Sequence, residues 1–453
     1  MFPLHSDTSR RNFLKTTAAG MAPFAIGRAG FASNSKLQHA CIGVGGMGWG
    51  DLNQFKSHPN LEIVALCDVD ANHLARAAAL CPQARTYRDW RELFRREGRR
   101  LDTVNIAVPD HMHAAITVTA LEGRKHVYCQ KPLCHDVAEC RAVIRAAQKA
   151  RVQTQLGTQY ASSVAHRMAI EYLRGKAIGD LQRVVFSANR PGAVETYRLV
   201  GPRPEQGSPA PAHLDWDLWL GTAAVRPYAP EIYHPVKWRA WQDFGTGWSA
   251  DIGCHLFNAL WTALNLSAPL SVIAEVQESW SNTPARRADT WPQSQHITWV
   301  FAGNEFTGGR EWKVEWFDGY MFPPDDIKKL QEAHGYQGEA MMAIGTEGML
   351  YLPLDGGPRL LPVEKFKDYP RPKPEPRNHY HHFVDACSGG ATPTMNFRVG
   401  GPMTEAILLG TVAVRTPGTL LKWDPARMRF PDVPQAQRYL RRRYRKGWKV
   451  HGL

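Results

Sequence analysis

The chain has few cysteines for its length, and none of them form motifs. Eight are spread over positions 41, 67, 81, 129, 134, 140, 254 and 387, with no C-x-x-C pair. That argues against a disulfide framework and against a zinc module. Cys41, Cys67 and Cys129 fall in apolar runs that read as buried strands, where cysteine behaves as a small hydrophobe. No stretch of about 18 apolar residues follows the N-terminal segment, so no transmembrane helix is expected in the mature chain. There is no internal repeat, and no spaced ligand set points to a metal. The 453 residues are 43% hydrophobic and 21% charged, enough for a sizeable core and for two or three domains.

Acidic residues are scarce at both ends. Of the net charge of +13, three come from residues 1–33 and seven from residues 438–453, which leaves three for the rest. The body is therefore near neutral, and with no recognised nucleic-acid motif no nucleic-acid partner is expected. The basic segment 436–453 reads as a terminal helix that docks on its own fold or on a sister subunit.

Ser9-Arg10-Arg11-Asn12-Phe13-Leu14-Lys15 matches the twin-arginine export signal. A weakly apolar run and small residues near Gly30-Phe31-Ala32-Ser33 follow. Residues 1–33 are read as a removable signal, which implies the twin-arginine translocase as a transient partner and a periplasmic or otherwise extracytoplasmic location.

Apolar runs at His39–Val44, Leu61–Cys67, Thr103–Val108, His126–Cys129 and Val152–Leu156 alternate with helical segments over about 46–57, 71–80, 90–97, 114–122 and 136–150. That alternation predicts a parallel sheet with helices on both faces. Beyond about residue 160 the texture changes. Residues 190–250 are rich in Pro, Gly and Trp and read as long loops. Val184–Ala188, Ser271–Val276, His296–Phe301 and Met349–Leu352 read as antiparallel strands.

Three motifs carry chemistry. Gly43-Val44-Gly45-Gly46-Met47-Gly48 follows a strand and opens a helix, and Asp68 lies 20 residues beyond Gly48 at the end of the next strand. This is the context of a dinucleotide site, with the pyrophosphate at a helix N-terminus and Asp68 on the adenosine ribose. Asp68 and Asp70 would repel a 2′-phosphate and so favour NAD over NADP. Cys129-Gln130-Lys131-Pro132 puts a lysine just past a strand end, where it can steady a developing alkoxide. In Asp251-Ile252-Gly253-Cys254-His255, a helix would set the carboxylate one turn from the imidazole, so that Asp251 orients His255 as a general base. Metal ligation there would need further donors; His111/His113 and His379/His381/His382 are the candidates.

Together with Pro109-Asp110-His111-Met112-His113, these motifs resemble the Gfo/Idh/MocA family, from about residue 37 to the C-terminus. The resemblance implies an N-terminal Rossmann domain (37–160) and a C-terminal α/β domain (161–435) with an open, mostly antiparallel sheet, often used for oligomer contacts. It implies Lys131, Asp251 and His255 as catalytic residues. Cofactor contacts are expected at Gly43, Gly45, Gly46, Met47, Gly48, Asp68, Pro109, His113, Gln130 and Lys131, with His113 flanking the nicotinamide. The family usually carries Glu-Lys-Pro; Gln130 here leaves Lys131 with less anionic support. It also often has an acid three residues after the histidine, where this chain has Asn258.

The aromatic segment Tyr233–Gly245 offers ring faces and charge for a carbohydrate, with Arg239 as the expected substrate contact. The expected activity is hydride transfer between a sugar or polyol secondary alcohol and a tightly bound NAD, in a homo-oligomer. One alternative is a glycoside hydrolase that oxidises its substrate transiently. Another is a dinucleotide-bound sugar-binding protein without catalysis.

Overall fold

Leu37–Ile42 forms β1, a buried strand, and the glycine run that follows turns the chain into α1 (Gly46–Lys56). In this computed structural model, residues 36–190, 201–335 and 338–453 are described. The export signal expected at 1–33 lies outside them. The next elements follow the predicted alternation, with β3 as an unpredicted addition: β2 (Leu61–Cys67), α2 (Ala71–Leu80), β3 (Arg85–Tyr87), α3 (Trp90–Glu97), β4 (Thr103–Ile106), α4 (Asp110–Glu122), β5 (His126–Cys129), α5 (Val137–Ala150) and β6 (Thr154–Leu156). All six strands run parallel in the order β3-β2-β1-β4-β5-β6. This is the doubly wound Rossmann order. Its direction reverses between β1 and β4, and that leaves a crevice beyond their carboxyl ends.

Helix α6 (Val164–Arg174) leads into a second sheet built from β7 (Leu181–Ala188), β8 (Ser271–Val276), β9 (Gln295–Phe301), β10 (Trp312–Asp318), β11 (Glu339–Gly345), β12 (Met349–Pro353), β13 (Arg359–Leu361) and β14 (Leu421–Lys422). The order is β13-β12-β11-β7-β10-β9-β8-β14. Only β7 and β10 pair in parallel; the other pairs are antiparallel. One face is covered by α7 (Gly253–Leu264) and α9 (Phe397–Arg415), while α8 (His379–Cys387) returns to pack beside α1.

Helix α9 bonds the two halves. A Cβ at Gly401 would lie 2.5 Å from the Ile144 side chain on α5, and one at Gly410 would lie 2.4 Å from Trp299 on β9. Only glycine allows both approaches. All eight cysteines are free thiols, seven of them buried.

The basic tail departs from expectation. After a 3₁₀ turn at Pro434–Tyr439 it runs without helix along the body. Arg442 Nε donates to Glu139 Oε1 at 2.8 Å, and its backbone N–H donates to Asp136 Oδ2 at 3.0 Å. Asp136 and Glu139 form the capping box of α5, so the tail fastens onto an acidic helix start. Trp448 is buried beneath the Arg91 guanidinium. Acidic partners on the body thus take up part of the tail's charge.

Candidate active site

The crevice opens into a cleft of about 810 Å³ lined by both halves of the chain. One end is the glycine turn. Gly43 has φ +81°, and a Cβ there would lie 2.3 Å from the Ala107 carbonyl oxygen; a Cβ on Gly48 would lie 2.1 Å from that of Gly43. Side chains at either position would push the turn off the sheet. Gly46 is also left-handed (φ +48°), but a Cβ there meets nothing within 4 Å, because it faces the cleft with the exposed Met47. A bare backbone turn at the start of α1 is what a pyrophosphate requires, so these residues fit a dinucleotide.

Asp68 lines the same end, and its carboxylate is also part of the turn. Oδ2 accepts from Val44 N (2.8 Å) and Gly45 N (3.2 Å), and Oδ1 from Asp70 N (2.9 Å). Burial pushes it above the usual carboxylate value against those bonds. Asp70 caps α2 by accepting from Asn72 N, and its other oxygen takes His234 Nε2.

At the other end Lys131 projects from the loop after β5. Its Nζ donates to the Asp251 carbonyl at 2.8 Å and to the Asp251 carboxylate. Arg239 Nε donates to the second carboxylate oxygen at 3.1 Å, and its guanidinium lies over Trp238. Burial alone would raise Asp251, but the two cations outweigh it and hold it at about 2. The aspartate therefore stays ionised and fixes Lys131 at the cleft wall. Beside it stands Asp110, the first residue of α4, which sequence reasoning quoted only within its motif. It accepts from Thr246 N and Oγ1 and is pushed to about 7 by burial and by the Asp251 charge. An acid directly after Pro109, the residue that leads into α4, was the available signal. Trp219, Trp238 and Trp248 add aromatic faces.

Three expectations are corrected. Ile252 keeps helical dihedrals between a turn at Trp248–Asp251 and α7, which leaves Asp251 about one turn from His255, but no hydrogen bond joins the two. Both carboxylate oxygens go to Lys131 and Arg239 instead. His255 lies behind the cleft wall, edge-on to Tyr160, with Nδ1 unpartnered; burial and the Lys131 charge hold it well below its ordinary value. His113 does not line the cleft. Its two ring nitrogens face the carbonyls of Pro132 (2.7 Å) and Val108 (2.8 Å), tying the Lys131 loop to the end of β4. Gln130 does not weaken the support of Lys131, because Asp251 supplies the anion. The Gln130 amide lines the cleft and donates to both oxygens of buried Asp51.

Pro109, Gly45 and Gln130 line the cleft as expected, and Gly48 lies behind the turn. His111 and His379 are buried at backbone carbonyls, and His381 bonds Ser57; they do not converge.

Residues 37–158 match the family model described as "Oxidoreductase family, NAD-binding Rossmann fold", and residues 183–303 match its companion, "Oxidoreductase family, C-terminal alpha/beta domain". The chain is 33% identical over 116 residues to inositol 2-dehydrogenase of Salmonella typhimurium, covering 25% of this chain and 34% of that one. It is 26% identical over 156 residues to a glycosyl hydrolase family 109 protein of Shewanella woodyi, covering 32% and 33%. The matches thus span about a third of the length of these curated relatives. The fold is similar to that of an inositol dehydrogenase homolog of Azotobacter vinelandii, complexed with NADH and myo-inositol (TM-score 0.56, 16% identity, 86% of this chain and 98% of that one). With both family models matched in order and the cleft between the domains they describe, the chain belongs to the Gfo/Idh/MocA family of oxidoreductases.

Proposed function

We propose that the protein oxidises a secondary alcohol of a sugar or polyol, with NAD held in the cleft. The observation that carries this reading is that one cleft joins a bare glycine turn to a fixed lysine–aspartate pair. NAD, when bound, supplies the hydride acceptor. Lys131, pinned by Asp251, presents a cation to the substrate oxygen and stabilises charge as the hydroxyl loses its proton. Asp110, which lines the cleft beside Asp251 and is pushed to about 7, is the group there suited to take that proton. Arg239 and the tryptophans offer charge and ring faces to hydroxyls and C–H faces of the sugar.

Twin-arginine export of the folded chain with its nucleotide is part of the same proposal, as is assembly of copies through the second sheet. Outside the cytoplasm a retained nucleotide has to be reoxidised in place.

The test is the near-ultraviolet absorbance of reduced nicotinamide. A panel of sugars, polyols and glycosides is added to purified protein, with and without added NAD. Wild type should reduce the nucleotide with at least one sugar or polyol, and Lys131→Met should not. The likeness to a glycosyl hydrolase family 109 protein favours a second reading, transient oxidation with net hydrolysis. Release of an aglycone without accumulated NADH selects it. Neither signal with any compound overturns both.

A further inference from the structure

At the Asp68 end of the cleft, three imidazole nitrogens converge on one carboxylate oxygen. His234 Nε2 lies 3.1 Å from Asp70 Oδ2, His213 Nε2 3.8 Å and His73 Nδ1 4.0 Å. The donor atoms of Asp70, His73 and His234 all lie within 4.8 Å of one another. Ligands about 2.0–2.1 Å from a tetrahedral Zn²⁺ are about 3.3 Å apart, so small ring rotations bring this set to coordinating distance. Asp70 is buried, and its carboxylate is already oriented because the other oxygen accepts from Asn72 N at 2.8 Å.

The backbone holds the two sides together. Ala71 N donates to the His213 carbonyl, Asp215 N donates to that of Val69, and Arg88 bonds the carbonyls of both Val69 and His213. A set of imidazoles with one carboxylate suits a borderline cation such as Zn²⁺; Mg²⁺ and Ca²⁺ prefer all-oxygen cages.

We propose that Asp70, His73 and His234 bind one Zn²⁺-class divalent ion, with His213 at its edge, clamping the β2–α2 turn to the segment that carries His213 and His234. The histidines are far apart in sequence and come from both halves of the chain, so no ligand spacing announces the site. His73 and His234 also line the cleft at its Asp68 end, so an ion held there borders the position proposed for the adenosine ribose, while Co²⁺ uptake reads the metal without nucleotide.

The test is titration of chelator-treated full-length protein with Co²⁺, then Zn²⁺. The expected result is one Co²⁺ per chain with intense four-coordinate visible bands, displaced by Zn²⁺. His73→Ala and His234→Ala should each weaken uptake by about 100-fold or more, and His213→Gln by about tenfold. Only the weak spectrum of hydrated Co²⁺ with wild type overturns the proposal, without recourse to any variant. Bands that persist unchanged in folded His234→Ala and His73→Ala overturn it equally.

Discussion

Replacing Asp251 by asparagine keeps the side-chain shape and removes the anion between two cations. The side chains of Lys131 and Asp251 are 16% and 10% exposed, so solvent screens the pair weakly. Moving an aspartate from 3.8 to about 2 corresponds to about 2 kcal/mol of folding free energy at neutral pH. Because the folded value is depressed, that contribution is present above 3.8 and is lost as pH falls through about 2. The variant also leaves Lys131 and Arg239 facing each other uncompensated, which brings the expected loss to about 2–4 kcal/mol. Urea unfolding of wild type and Asp251→Asn at pH 7 reads the loss directly. Repeating it down to acid pH should show the difference shrinking as the wild-type aspartate protonates. Equal stability at pH 7, within about 0.5 kcal/mol, would refute the claim that the cations hold Asp251 ionised.

Gly48→Ala should cost more than about 2 kcal/mol and abolish nucleotide binding, since its methyl meets the Gly43 carbonyl. Gly46→Ala should cost only about 1 kcal/mol of left-handed strain. Thermal unfolding and NAD titration separate the two. Gln130→Glu, which restores the family's usual residue, should destabilise by about 1–3 kcal/mol because it replaces the donor to Asp51 with a second acceptor; denaturant unfolding checks it. For His113, burial alone would lower the ring, but the Cys129 thiol and the two carbonyls raise it above 6.5. Its contribution should be fully present below 6.5 and lost as pH rises through the folded value, and an imidazole NMR titration with a midpoint below 6.5 would contradict this. Arg442→Ala should cost about 2–4 kcal/mol and release the tail, as read by proteolysis after residue 441, because Asp136 and Glu139 lose their cation.

Much of the Rossmann half was legible in sequence. Most of its parallel strands are largely buried, so they appear as short apolar runs, and the glycine turn must occupy consecutive residues at a strand end. The exception was β3, a three-residue edge strand with too little burial to show a pattern. In the second half Trp312–Asp318 alternates apolar and polar residues and could have been read as a strand. Glu339–Gly345, with its run of Ala and Met, carried no such signal, because β11 is buried on both faces.

The site divides along the same line. Lys131, Asp251 and the glycines were visible because each sits at a strand or helix end marked by its neighbours. Their partners were not. Asp251 is 120 residues from Lys131 and its nearer suitor was His255, one helical turn away; the arrival of two cations decided the pairing. His113 looked like a cofactor contact until packing placed two carbonyls against its ring. The sequence by itself determined which backbone can approach a phosphate and which residues can carry charge at the sheet edge, since glycine freedom and strand ends are local properties. Only the tertiary structure decided which charge meets which, because ion pairing depends on distance in space between segments that local rules do not relate.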